Sequence, residues 1–433
     1  MNRKIIELSE YQTKSPTREE SDIEEDMMAG EDKNLENLNL VYEDKKLKSY
    51  LKKQGILTIR ELKSGLEISS TSHIGVVQFS NFTVKVLPKF SINVTNLPKL
   101  IAYAFDLDDI IIPESQIEFQ AEENQLIDIL IVFFVRHCQK LLRQGLLKSY
   151  NSYHDDIRYL RGKLLLQQQV LNVIKNKPIF ACEFDELEYN NLENQILMFC
   201  LNRSYNLTNS DSLRKEIRRL IHQFSGLVDE KYITIDDFDK INYTRLNNHY
   251  KKIHELCKLI ISSTGIADFY LEKKHFVSSF FVDMNKVFEK FVTRLFREYY
   301  PSSYIVESQK GKKAWTSDDG GSSYIRTDIL LTNKAGKHII IDTKYKRKLS
   351  DNDRFQIGFY IHEYHQKKGF AIIPQFSDSK DQSITSKVQE INIEIKTINI
   401  DKTLDLIYSK DKNFYDELKS MVQKLVPMND IEI

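Results

Sequence analysis

Two short β-branched runs in the C-terminal third hold the residue types best suited to chemistry. They are Arg326-Thr327-Asp328-Ile329-Leu330-Leu331 and Ile339-Ile340-Ile341-Asp342-Thr343-Lys344-Tyr345-Lys346. The residues between them, with Gly336, read as a hairpin loop. Side chains alternate along a strand, so Asp342 and Lys344 share a face while Asp328 stands across the hairpin. Two carboxylates supply the oxygen ligands that a hard cation such as Mg²⁺ takes, and Mn²⁺ is expected to substitute. A cation held there lowers the pKa of a bound water and neutralises charge on a phosphodiester, while Lys344 positions or deprotonates the nucleophile. That chemistry is phosphodiester hydrolysis.

An Asp and a Lys two apart on an exposed strand are ordinarily a solvated pair. Three features set this pair apart. Asp342 follows three apolar residues, Ile339–Ile341, and so emerges from a buried strand. Upstream, Phe288, Phe291, Val292, Leu295, Phe296 and Tyr299 form the apolar stripe of a helix, with Glu289 on its flank. Downstream, Gln356 and Tyr360 lie four apart on one helix face, with Tyr360 a candidate for contact with nucleic acid. Lys346, Arg347 and Lys348 follow the second strand directly and are placed for phosphate contacts, against the plainer reading of a solvated loop. His362 and His365 lack a third ligand and make no zinc site. Trp315 lies in a polar loop ahead of the first strand, where DNA contact is open to it.

The elements that must position these residues follow from the pattern. Ile5–Tyr11 reads as an opening strand and 47–63 as a helix. His73–Phe79 and Phe82–Leu87 read as a hairpin, stopped by Pro88. Helices dominate from 97 to 265, among them Gln125–Leu147, Leu192–Leu207, Ser212–Phe224 and Thr244–Ser262. Near 270 the period changes to helix, three strands, helix, strand, the order of an α/β or α+β domain. The expected division is therefore a region 1–268, β-rich over 1–95 and helical over 96–268, followed by a domain over 269–433.

Composition excludes several classes. The 433 residues are 41% hydrophobic and 29% charged, a globular profile, with no run long enough to span a membrane. MNRKIIELSEYQ has no apolar core, so no secretory signal is expected. Four scattered cysteines without a CxxC argue against a disulfide framework or structural zinc and fit a reducing cytoplasm. The 62 basic and 62 acidic residues cancel unevenly: residues 1–45 carry 6 against 13, leaving +7 on the remainder. Eight of the fourteen residues Glu19–Asp32 are acidic, which reads as a solvated insertion. No GxxxxGK[ST] occurs, so a nucleoside triphosphate, if used, is bound by another chain.

Glu289, Asp328, Asp342-x-Lys344 and Gln356-x-x-x-Tyr360, on helix, strand, strand and helix, resemble the PD-(D/E)xK nuclease superfamily, and the last pair its RecB-like branch. Thr327 stands where that superfamily has proline. Val287–Val292, Asp342–Lys346, His73–Val77 with Leu87–Phe90, Leu160–Leu164 and Cys182–Leu187 with Leu192–Asn194 resemble the McrC family, from about residue 5 to 400. The resemblance implies an N-terminal α+β adaptor and a C-terminal α/β nuclease domain. It implies a Mg²⁺-dependent endonuclease of a modification-dependent, 5-methylcytosine-type restriction system, cutting double-stranded DNA. It further implies an McrB-like AAA+ hexamer that binds GTP and whose hydrolysis this chain stimulates. Asp328 and Asp342 would then hold the metal with Glu289 assisting, Lys344 would act on water, and Gln356 would fix Lys344 or the phosphate. A free-standing nuclease, or an adaptor that only activates the ring, are the alternatives.

Overall fold

The computed structural model describes residues 4–16, 28–88, 96–107, 126–208, 210–264, 279–316, 321–376, 380–386, 390–409 and 413–427. Most of the acidic stretch after Glu19, Lys89, Phe90 and the expected boundary at 268 lie outside them. The chain forms two compact units, one from residues 1–126 with 263–433 and the other from 127–262. This corrects the expected division: the β-rich start belongs with the C-terminal residues, not with the helical body.

In the first unit the chain runs through β1 (Lys4–Ser9), β2 (Gln12–Ser15), β3 (Met28–Glu31), α1 (Asp44–Lys53), β4 (Leu57–Leu62) and β5 (Gly65–Ser70). The hairpin β6 (His73–Gln78) and β7 (Phe82–Leu87) follows as expected, pairing Gln78 with Thr83, and α2 (Asn96–Ala104) comes next. The helix expected over 47–63 is only half a helix. Gly55, at φ +66°, ends α1, and Leu57-Thr58-Ile59 then pair with β5 as a strand.

The second unit holds α3 (Leu126–Gln144), β8 (Ser149–Ile157), β9 (Lys163–Leu164), α4 (Leu166–Ile174), β10 (Phe180–Glu188), α5 (Leu192–Leu207), α6 (Asp211–Phe224) and α7 (Lys251–Thr264). Helices dominate it as expected, but a sheet of order β8-β10-β9 interrupts them. β8 buries neither face, so its residues lack the apolar alternation that announces a strand; nine pairs with β10 hold it instead. Ile127–Val135 of α3 are all buried, yet no helix among the described residues is long and apolar enough to cross a membrane.

The chain then returns to the first unit with β11 (Phe280–Asp283), α8 (Met284–Tyr299), β12 (Tyr304–Thr316), β13 (Ser322–Asn333), β14 (His338–Thr343), α9 (Asp351–Glu363), β15 (Lys368–Pro374), β16 (Gln382–Thr385), β17 (Asn392–Ile398), α10 (Ile400–Ile407) and α11 (Phe414–Leu425). The last two helices were not expected from the sequence. The main sheet has the order β12-β13-β14-β15-β17-β16, with β14, β15 and β17 parallel. Leu330, Ile340, Ala371 and Ile395 of the sheet pack with Ile357 and Ile361 of α9.

Two junctions explain why residues from both ends of the chain make one unit. β11 completes the sheet β1-β7-β6-β11 by pairing antiparallel with β6, Phe281 opposite Gly75. No side chain fits there: at φ +151°, a Cβ on Gly75 would lie 2.1 Å from the Phe280 carbonyl oxygen. At the second junction the buried Tyr345 hydroxyl donates to Glu10 Oε2 at 3.3 Å. The Tyr11 hydroxyl donates to the Tyr345 carbonyl at 3.3 Å.

Candidate active site

The core of the main sheet fixes the site. β14 is buried along Ile339–Thr343, so Asp342 is carried into the interior with 1% of its surface exposed. Burial first, and the neighbouring Asp328 carboxylate second, push its pKa up to about 7; Lys344 pulls the other way. Lys344 Nζ lies 2.8 Å from Asp342 Oδ2, and that buried oxygen has no hydrogen-bond partner of good geometry. The lysine also donates to Gln356 Oε1 at 3.2 Å, and Gln356 Nε2 donates to the Tyr360 hydroxyl at 2.8 Å. Burial disfavours charge on Lys344, but Asp342, Asp328 and Asp353 outweigh it and hold the ammonium's pKa above its ordinary value.

Asp328 reaches the same place from β13. Its Oδ2 accepts from the Thr343 backbone N–H at 2.8 Å and the Thr343 hydroxyl at 2.9 Å. Its Oδ1 accepts from Gln309 Nε2 at 3.2 Å, and the same amide donates to Glu289 Oε1 at 2.7 Å. Burial, then Asp328, raises the pKa of Glu289, against the lowering effect of Gln309. Gln309 stands opposite Asp328 because β12 pairs Ser308 with Ile329 and Lys310 with Thr327. Its φ of +51° breaks the ladder there and turns its amide between the two acids.

Six of the expected residues are thus joined by hydrogen bonds or an ion contact through Asp342–Lys344–Gln356–Tyr360 and Asp328–Gln309–Glu289, with Asp328 acting electrostatically on Asp342. The expected phosphate-contact residues are placed differently. Lys346 pairs with Asp353 at 2.9 Å, and Arg347 lies over the Phe376 ring at 5.2 Å. Tyr360 is 8% exposed and belongs to the core as well as to the hydrogen-bond chain. Asp353 also caps α9, accepting from the Ser350 N–H at 2.9 Å and hydroxyl at 2.7 Å. Trp315, exposed, stacks on Phe359 of α9 with ring centroids 5.8 Å apart and planes 7° from parallel.

Gln309, Thr343 and Asp353 escape sequence reasoning. Ser350-x-x-Asp353 is a capping signal for α9 and could have pointed to the last. The others depend on cross-strand register, which no local pattern gives. The donor set suits a hard cation: all-oxygen, with one buried carboxylate oxygen met only by an ammonium. Among the described residues no three acidic, histidine or cysteine side chains are grouped to hold a metal ion, and the Gln309 amide donates to both Glu289 and Asp328. The Asp328–Asp342 pair is what the site offers as it stands.

Known proteins give the chain a context. It is similar in fold to a chain of the refined half-complex from a tetradecameric assembly of Thermococcus gammatolerans McrB AAA+ hexamers with bound McrC. That match covers 90% of this chain and 91% of the other at 20% identity, with a TM-score of 0.51. A second match, in the cryo-EM structure of the Thermococcus gammatolerans McrBC complex, covers 69% of this chain and 88% of the other at 22% identity, with a TM-score of 0.43. No curated protein matches. The family model for the McrBC 5-methylcytosine restriction system component matches residues 68–374, a span that reaches from β5 to β15 and includes every residue of the site. The chain belongs to that family.

Proposed function

We propose that this chain is the DNA-cleaving subunit of a GTP-dependent, modification-dependent restriction complex, with its active site in a PD-(D/E)xK arrangement on β13, β14, α8 and α9. The observation that carries the reading is Lys344, whose Nζ lies 2.8 Å from Asp342 and 3.2 Å from Gln356, beside Asp328 on the neighbouring strand. Asp328 and Asp342 would hold a Mg²⁺ ion, with Glu289 assisting, and the ion would supply Lewis acidity toward a water and charge neutralisation at the phosphate. Lys344 is an ammonium at neutral pH, so it orients the water and the phosphate oxygen by donating hydrogen bonds rather than by taking a proton. Gln356 fixes the lysine, and Tyr360 fixes Gln356. Hydrolysis then forms a bond between water oxygen and phosphorus and releases the sugar hydroxyl.

The partner in this reading is an McrB-like AAA+ hexamer, which binds and hydrolyses GTP. The second unit supports it, because Leu166, Val170, Leu171, Val173 and Ile174 of α4 are each more than half exposed. A soluble chain seldom leaves so many apolar side chains on one short helix without a partner. The test is a plasmid-cleavage assay with methylated DNA, the partner ring, GTP and Mg²⁺. Wild type should cut and Lys344→Ala should not, while both stimulate GTP turnover. Cutting by a correctly folded Lys344→Ala protein would sink the active-site assignment.

A further inference from the structure

β12 and β13 extend past the main sheet as a two-stranded arm, and one face of this arm is continuous with Asp328. Along β13 that face presents Asp328, then Arg326, then Tyr324, because alternate residues share a side. The intervening Thr327 and Ile325 are buried on the opposite face, which obliges Arg326 and Tyr324 to point outward. Across the ladder, Gly311 pairs with Arg326 and Lys313 pairs with Tyr324. Arg326 and Lys313 are exposed, and Tyr324 is 63% exposed.

Charge separates this face from its surroundings. Three other cations of this region are paired with acids: Lys310 with Glu307 at 2.6 Å, Lys346 with Asp353 at 2.9 Å, and Arg354 with Asp351 at 2.7 Å. Arg326 and Lys313 make no ion pair among the described residues; Asp318 and Asp319, in the connection between the strands, lie outside them. Gly311 leaves the space opposite Arg326 open, although a Cβ there would meet nothing within 4 Å. Neither packing nor backbone conformation demands glycine at that position.

We infer that this face is a phosphate track, on which Arg326 and Lys313 hold the backbone of the DNA strand leaving the active site and Tyr324 packs against it. The inference rests on the nucleic-acid reading of the site. Same-face positions recur about every 6.6 Å along a strand, so successive side chains can follow successive phosphates from the reacting one outward. A bare glycine facing the arginine keeps that path clear. Contacts of this kind fix the register of the duplex without reading its sequence.

The experiment is fluorescence-anisotropy binding of a labelled duplex to the full chain, in EDTA so that no cutting occurs, over a salt series. Each phosphate contact contributes about 0.9 to the slope of log affinity against log salt. Arg326→Ala with Lys313→Ala should lower the slope by nearly 2 and weaken binding equally for unrelated sequences. Arg326→Lys should restore most of that contact, and Lys334→Ala, in the turn just past the far end of β13, should leave the slope unchanged. A double variant with the wild-type slope, an equal loss in Lys334→Ala, or no binding by the wild-type chain overturns the track. Steep, arm-dependent binding by a chain that never cuts would instead leave the track standing and remove the nuclease reading.

Discussion

At Asp342, stability and function pull in opposite directions. The unfolded chain ionises this carboxyl near the ordinary 3.8, whereas the folded, cation-free protein holds its proton up to about pH 7. Below both values the two states bind equal protons and Asp342 has no effect. Between them the unfolded state has released the proton and the native state has not, so stability falls as pH rises, by roughly 2–4 kcal/mol at completion. Asp342→Asn should therefore lose cleavage yet keep its melting temperature between pH 5 and pH 8 better than wild type does in EDTA. Equal pH slopes for the two proteins in a thermal melt would contradict the burial argument. The same carboxylates should let Mg²⁺ or Mn²⁺ support cutting, and let Ca²⁺ raise the wild-type melting temperature at pH 8 without cutting, because Ca²⁺ acidifies water less. Activity surviving exhaustive chelation would remove the metal from the mechanism. These residues were legible because each stands in or beside an apolar run. Gln309 was not, since its partnership with Asp328 exists only through pairing at a distance.

Among the elements, β11 matters out of proportion to its four residues. It starts the segment that leads into α8, the helix of Glu289, and it is anchored on β6 rather than on the main sheet. Gly75→Ala would drive a methyl group into the Phe280 carbonyl and unseat that anchor. The expected cost is about 2–4 kcal/mol, read as a shift in the urea midpoint, together with weakened cutting. A neutral substitution would mean that β11 tolerates displacement and does not hold α8. The β6–β7 hairpin, α5, α6 and α8 were readable from period and caps, within a residue or two. The turn from α1 into β4 was misread because apolar residues continue across Gly55, and the sheet around β10 was missed because its outer strand β8 lacks apolar alternation.

For the whole molecule, the order of the units decides which fragments can fold. A cut at 268 separates β6 from β11 and Glu10 from Tyr345, leaving an open sheet edge on one piece and the buried Tyr345 on the other. Residues 127–262, in contrast, keep their own core. We expect the 127–262 fragment to be monomeric and cooperatively folded by circular dichroism and gel filtration, and fragments 1–268 and 269–433 to aggregate. Mixed with the partner ring, 127–262 should bind it and leave DNA intact. A well-folded 269–433 fragment that cuts DNA would show the two ends of the chain to be independent after all. Sequence pattern puts a change in period near 270, outside the described residues, but could not reveal that the chain rejoins at Phe280 a sheet begun at residue 4. Which strands meet is decided by long-range pairing, not by local propensity.

Trp315 gives this arrangement an optical handle. It is the protein's sole tryptophan, and it rests on Phe359, one residue from Tyr360 and three from Gln356. Light absorbed at the red edge of the protein spectrum is therefore emitted from a single address, on the arm and against the helix that fixes Lys344. A rotation of α9, or a nucleotide base sliding onto the exposed indole, alters its emission or quenches it while the rest of the chain stays dark. Stopped-flow fluorescence of the unlabelled protein can thus time the arrival of DNA at the arm separately from the later appearance of cut ends.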